Sequence, residues 1–371
     1  MYQNNYPPPF PQQQPQPPPR QPQDRPHMPS PHDYMMQKKA AMTAEKKALR
    51  INTAKLAGLL ILYNIFNDLF VRLFYMVVYC FVEKPTLSMN YAIYYLQKEH
   101  AEMLRGTAFR MGAMLFTVVF SVLGVFLAAQ FLLKTEIASW FKPNKENVKT
   151  GFLWSMPCVT VNLIMSVFVS LIVERLTDEG VNVPSADFSI KSPSTLALTL
   201  QFLYVCIAGP IAEEIIYRGL VIKLISPYGK GLAVFVSALF FGLMHGNLEQ
   251  TVPTFVGGML FALIAVYSDS LVPTIIVHIM NNTIASINDF GKALGSDFSK
   301  IYLAVAIIFM VVGFYVLMVF LIDMVKDLER NNDHALSSGT RTLTVFLNIV
   351  MIAYMWIYLI YPYIKSFIDS N

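Results

Sequence analysis

Apolar residues in this chain come in long unbroken runs instead of the one-sided stripes of a soluble helix, and that limits the fold before anything else does. A helix needs about 20 largely apolar residues to cross the hydrocarbon core of a bilayer. Inside that core every backbone N–H and C=O must be satisfied within the protein, so such runs are read as helices. Spans are expected at about 54–82, 107–133, 151–173, 195–226, 231–247, 253–268, 271–288, 301–325 and 343–367. Composition agrees: 55% of the 371 residues are hydrophobic and only 14% charged, where a soluble domain carries about a quarter charged. Cys80, Cys158 and Cys206 all fall inside apolar runs, and are read as small buried hydrophobes with no disulfide framework.

Outside the runs, the chain changes character twice. Residues 1–36 are rich in Pro and Gln, cannot bury a core and are expected to be a disordered cytoplasmic tail. Residues 37–53 form a basic juxtamembrane segment with Lys38, Lys39, Lys46, Lys47 and Arg50. No aromatic residues interleave with these charges, so nucleic acid is not an expected partner. Residues 54–371 are the transmembrane domain. Lysine-rich segments beside a first span favour the cytoplasmic side. The loop 134–150, with Lys134, Lys142, Lys145 and Lys149, should then also be cytoplasmic, and the acidic loop 174–194 should lie outside. The loop 326–342 is charge-balanced and leaves the orientation of the C-terminus open.

Ionisable groups within apolar runs are costly and point to function unless they neutralise one another. Asp68 and Arg72 in the first span are spaced i,i+4 and are read as a structural pair. The stretch from about 195 to 290 holds more than such pairing explains. It contains Glu213-Glu214 with Arg218, then Phe241 with His245, then His278 with Asn282. Glu214 and Arg218 share a helix face as an i,i+4 pair, so Arg218 anchors Glu214. Glu213 lies about 100° round the helix from Glu214 and is the candidate base. Pro210 lacks a backbone donor and should break the fourth span. A fresh helix starting there would place both glutamates near a positive N-terminal dipole.

Helical rise puts Glu213 and His245 each roughly 22 Å from a turn near residues 227–230, but His278 only about 10 Å from the turn at 268–273. The mismatch disappears if the first hairpin projects beyond the membrane. His278 and Asn282 share one face, and Phe241 packs one turn from His245.

These motifs resemble the CPBP family, the CAAX-processing and bacteriocin-processing intramembrane proteases. The E-E-x-x-x-R pattern falls on Glu213, Glu214 and Arg218, F-x-x-x-H on Phe241 and His245, and H-x-x-x-N on His278 and Asn282. No motif position departs from the pattern. The resemblance, together with the apolar runs, implies an all-α polytopic membrane bundle of eight to nine transmembrane helices with an intramembrane polar cavity. It implies a multi-pass protein of the cell membrane, if bacterial, and an endopeptidase acting on a prenylated CAAX-like or leader-type substrate held in the bilayer. Its bottom-up counterpart is hydrolysis: Glu213 and His245 activate water, while His278 and Asn282 hold an oxyanion.

Two chemistries remain open. Glu213, His245 and His278 could supply the three ligands of a divalent metal such as zinc, leaving Glu214 as base. Asn282 is a poor zinc ligand and a good amide donor, which tilts the reading toward a metal-free site. A non-catalytic membrane partner or immunity protein on the same fold is the alternative function. A transporter, which would use a broken helix and midplane charges, is disfavoured because no inverted repeat is evident.

Overall fold

The computed structural model describes residues 30–86, 88–134, 137–185, 189–329 and 334–370. Every long element among them is a helix, and no strand occurs. We number the main helices α1 Pro31–Val82, α2 Thr107–Leu133, α3 Lys145–Asp178, α4 Thr195–Tyr228, α5 Lys230–Leu243, α6 Leu248–Ser268, α7 Val272–Ala285, α8 Ser299–Glu329 and α9 Ile349–Asp369. Seven of them are long and apolar enough to cross a membrane, whereas α5 and α7 are shorter. At 14 residues each, these two extend only about 21 Å. The chain is therefore an all-α, polytopic membrane bundle.

Helix starts follow the side chains available. Ser30, Asn144, Ser194 and Asn247 each accept a hydrogen bond from a backbone N–H of the first turn of α1, α3, α4 and α6, which satisfies an otherwise orphaned donor. α1 begins at Pro31, where a proline needs no donor. Residues 31–36 are thus helical although composition assigned them to the tail, and the rest of that tail, 1–29, lies outside the described residues.

The second difference concerns Pro210. The fourth span does not break: its backbone stays helical through Gly209 and Glu214. Two π-helical stretches, Phe202–Ala208 and Glu214–Val221, flank the proline. Gly209 N–H bonds to Tyr204 O, five residues back, so the ladder is re-registered before the missing donor instead of ending there. The glutamates accordingly sit mid-helix and receive no support from a free helix N-terminus.

Packing centres on α3, which lies against α6, α7 and α8. Gly313 of α8 makes one of these approaches close: a Cβ there would collide with Met156 O. Small residues let membrane helices approach this closely. Thr160 Oγ1 uses the approach to donate to Phe309 O at 2.8 Å. Outward, α8 exposes Leu303, Ile308, Val311, Phe314, Met318 and Ile322, an apolar face far larger than a water-soluble protein shows.

The two ends of the bundle differ. At one, Asn52 donates to the Tyr228 hydroxyl (3.1 Å), Asn348 to Arg50 O (3.0 Å), and Leu271 N–H to Trp140 O (2.9 Å). At the other, Lys191 N–H donates to Thr107 Oγ1 at 2.7 Å, and Leu176, Val183, Tyr363 and Phe367 close round one small cavity. The last helix thus runs from the end holding residues 45–52 to the opposite end. The contacts supply this relative orientation, which loop charge left undecided.

Asp269 ties the first end together by accepting from Lys142 and from Lys223 (2.6 Å). Partial burial pushes its carboxyl up, but the two lysines outweigh this and hold it below its ordinary value of 3.8. A depressed carboxyl stabilises the fold above its ordinary value, and that stability is lost as pH falls through the folded value. Asp269 has φ 47°, a region Asn tolerates. Asp269→Asn should therefore lower the melting temperature at pH 7 in low salt, and the difference from wild type should start to shrink below about pH 4 and keep shrinking as pH falls further. A difference that did not shrink on acidification below about pH 4 would count against the ion pairs as its origin.

Candidate active site

The Lys223–Asp269 contact also explains how His278 reaches the glutamates. It sets Lys223, not Tyr228, level with the α6–α7 turn, so the α4–α5 hairpin projects past that turn. Measured from this level, Glu213 is ten residues along α4 and His278 nine along α7, about 15 and 14 Å by helical rise. The two therefore meet at one depth.

Their geometry is specific. Arg218 Nη1 donates to Glu214 Oε1 at 3.1 Å, and neither side chain is exposed at all. His278 Nδ1 lies 2.9 Å from the same Glu214 oxygen, while its Nε2 lies 3.6 Å from Glu213 Oε2. A carboxylate only accepts, so the Glu214 contact is a donated Nδ1–H, which turns Nε2 toward Glu213. The neighbouring glutamates thus differ: Glu214 is sealed between Arg218 and His278, while Glu213 keeps 20% of its side chain exposed in a cavity.

Aromatic rings complete the setting. The Arg218 guanidinium lies 4.2 Å from the Phe241 ring centre and 5.1 Å from that of Phe261, a favourable arrangement for a desolvated cation. Phe241 also stands edge-on to His245 and to His278. Its backbone carbonyl lies 2.9 Å from His245 Nδ1. A carbonyl cannot donate, so that nitrogen carries the proton and neutral His245 keeps a basic Nε2.

Glu213, His245, His278 and Asn282 line one chamber of about 740 Å³, lined also by Tyr204 and Gln250. Tyr204, Met114 and Met244 are shared with a second cavity of about 400 Å³ that adds Tyr63, Tyr217 and Tyr354. The chamber also reveals residues that motif reading passed over. Asn162 Nδ2 donates to Asn281 Oδ1 (2.8 Å), Asn281 Nδ2 to Asn282 Oδ1 (3.2 Å), and Asn282 Nδ2 to Val205 O (3.0 Å). This ladder spans α3, α7 and α4 and fixes the Asn282 amide, leaving one of its two N–H groups unspent on Val205. The available signal was Asn162 itself, a polar residue in an apolar run.

Among the described residues, no group of three or more His, Cys, Asp and Glu converges closely enough to hold a metal ion. Glu213, His245 and His278 share the chamber, with His278 Nδ1 on Glu214 and His245 Nδ1 on Phe241 O, contacts that leave the Nε2 atom of each histidine available.

Residues 195–284 match the family model of Rce1-like proteins, type II CAAX prenyl endopeptidases. The matched stretch contains all three motifs, so the resemblance to CAAX-type and CPBP proteases is supported where the polar residues cluster. No curated protein and no solved structure gave a match.

Removing one partner of a buried ion pair typically costs about 3–5 kcal/mol. Arg218→Ala should therefore strongly lower the thermal stability of detergent-solubilised protein, as should Glu214→Gln. The double variant Glu214→Gln/Arg218→Met should recover part of that loss, because no charge is then stranded. Single and double variants that simply added would show that the two residues are not coupled.

Proposed function

We propose that this protein is an intramembrane endopeptidase that hydrolyses a peptide bond of a membrane-associated substrate with water activated by Glu213 and His245. The observation that carries the reading is the pairing of unlike carboxylates around His278: one sealed by Arg218, one open to a polar chamber. A buried glutamate already neutralised serves structure, whereas Glu213 has, among the described residues, no cation of its own beyond His278 and faces the chamber. The match of residues 195–284 to a family of endopeptidases supports the same conclusion.

In the scheme, a water between Glu213 and His245 Nε2 loses a proton and attacks the scissile carbonyl carbon. With both ring nitrogens of His278 protonated, Nδ1–H stays on Glu214 and Nε2–H is free to donate to the developing oxyanion. The remaining Asn282 N–H serves as a second donor, held in place by the amide ladder. The proton taken from water passes to the leaving amine as the C–N bond breaks. Glu214 and Arg218 act as positioning residues, setting the ring orientation of His278 much as an outer carboxylate orients a catalytic imidazole. We place the N-terminus on the cytoplasmic side, on the strength of the lysines in residues 37–55 and 134–150.

Glu213→Gln keeps the side chain's shape and removes the base. In liposomes supplied with farnesylated CAAX peptides and apolar leader peptides, wild type should cleave at least one class. Glu213→Gln should fall by 10²-fold or more, on the order expected for loss of a general base, with an unchanged melting temperature. Failure of wild type to cleave either class while still binding a membrane protein would favour the non-catalytic partner.

The same preparation tests the metal question. Active, detergent-purified protein should contain no stoichiometric zinc and should keep its activity in a chelator. Stoichiometric zinc that is lost and restored together with activity would overturn the metal-free scheme.

A further inference from the structure

The second cavity, about 400 Å³ between α1, α2, α4 and α9, carries polar groups that the hydrolytic scheme leaves unused. One is Arg110, near the start of α2. Its Nη2 donates to Ser189 O at 3.3 Å, and its Nε is buried without a hydrogen-bond partner among the described residues. Arg72, Arg105, Arg175 and Arg218 each pair with a carboxylate, whereas Arg110 has no such partner among the described residues. A guanidinium keeps its charge throughout the working pH range and presents its donors in a planar fork that matches a carboxylate. Partly withdrawn from water and left without an anion, Arg110 is placed to receive one.

A second group points the same way. Thr117 lies seven residues further along α2, on the same face as Arg110 and about 10 Å from it by helical rise. It is only 9% exposed, lines the same cavity, and has a hydroxyl with no partner among the described residues. The hydroxyls of Thr53, Ser121 and Thr251 also lack one, but none of those three residues lines this cavity or the chamber. A hydroxyl both donates and accepts, which suits it to a peptide main chain. The span from Arg110 to Thr117 is the reach of about three extended residues, so the two groups fit a stretch of chain better than a small ion.

The cavity adjoins the site. Met114, one turn from Arg110 on the same face, lines both cavity and chamber, as do Tyr204 and Met244. A chain held at Arg110 and Thr117 passes these three side chains to enter the space before Glu213 and His245. A lipid headgroup on Arg110 would make no use of that shared wall, which favours a peptide as the occupant.

We propose that Arg110 binds a carboxylate of the substrate peptide, foremost its free C-terminal carboxylate, while Thr117 holds the main chain between that carboxylate and the scissile bond. This rests on the endopeptidase reading and adds a recognition site to it. The second cavity then holds the fragment that leaves as the amine, and Arg110 acts in binding, not in the chemical step.

The test compares a farnesylated peptide bearing a free C-terminus with the same peptide closed as a C-terminal amide, both in phosphatidylcholine liposomes. Binding is measured on Glu213→Gln protein and cleavage on protein with Glu213 intact. The free acid should bind at least about tenfold more tightly than the amide, on the order of one charge-assisted contact, and its KM should be lower by a similar factor with kcat little changed. Arg110→Gln should erase the preference, and Arg110→Lys should keep part of it. An amide ending in Asp that binds like the free acid supports the same site, with a side chain as the source of the carboxylate. Equal binding of acid and amide while Arg110 is in place, or binding of neither, overturns the proposal whether or not the variants fold, and so does an Arg110→Gln loss shared equally by both forms. Each of these leaves the hydrolytic reading intact if cleavage persists. A preference for the acid that depends on Arg110, in a protein that cleaves nothing, would sink the hydrolytic reading alone.

Discussion

A guanidinium and a carboxylate removed from both water and lipid contact hold this structure's centre, and the rest of the site is arranged round them. Taking Arg218 and Glu214 out of water is expensive, and their attraction offsets that cost only when the remaining donors and acceptors are also used. Several are used here: Arg218 Nη2 donates to Gly258 O at 3.3 Å, and His278 takes the second contact to Glu214 Oε1, while Glu214 Oε2 and Arg218 Nε are buried without a hydrogen-bond partner among the described residues. The pair therefore joins α4 to α6 and α7. Through the Phe241 ring beneath the guanidinium it also reaches the carbonyl that orients His245. One interaction thus sets the direction of both histidines.

Two adjacent glutamates can differ this much because the helix carrying them is not uniform. Successive residues on any helix diverge by about 100°, so Glu214 can turn inward to Arg218 while Glu213 faces the chamber. The π-helical stretches on either side of Gly209–Glu213 let α4 pass Pro210 without ending. Such bulges are often found at functional sites. They carry the acidic pair into the interior, where a helix N-terminus exposed by a true break would have needed its own solvation.

The two sides of the chamber follow from the same packing. The charged pair and its two phenylalanines lie on the lysine-rich side of the chamber, and polar groups gather on the other. Asn162, Asn281 and Asn282 donate in a row that ends on Val205 O, as polar groups at membrane depth need partners, although Asn162 Oδ1 is buried without one among the described residues. A hydrolytic centre needs water beside it and order around it, and the buried pair beside a polar wall provides both.

By itself, the sequence determined the helical class, since apolar runs of that length leave the backbone no other way to satisfy itself. It also determined the i,i+4 pairs Glu214–Arg218, Phe241–His245 and His278–Asn282, because helical periodicity places those side chains together before any tertiary contact forms. Other features required distant parts of the chain to meet. The 3.6 Å approach of His278 to Glu213 and the shared Glu214 oxygen join residues more than sixty apart in α4 and α7. The level of the α6–α7 turn is set by Lys142 and Lys223 on Asp269, and Asn162 joins the site only because α3 packs against α7. The path of α4 past Pro210 depended on its neighbours too. Local rules describe a proline as the end of a helix, and only a packed environment makes a rerouted π turn the better alternative.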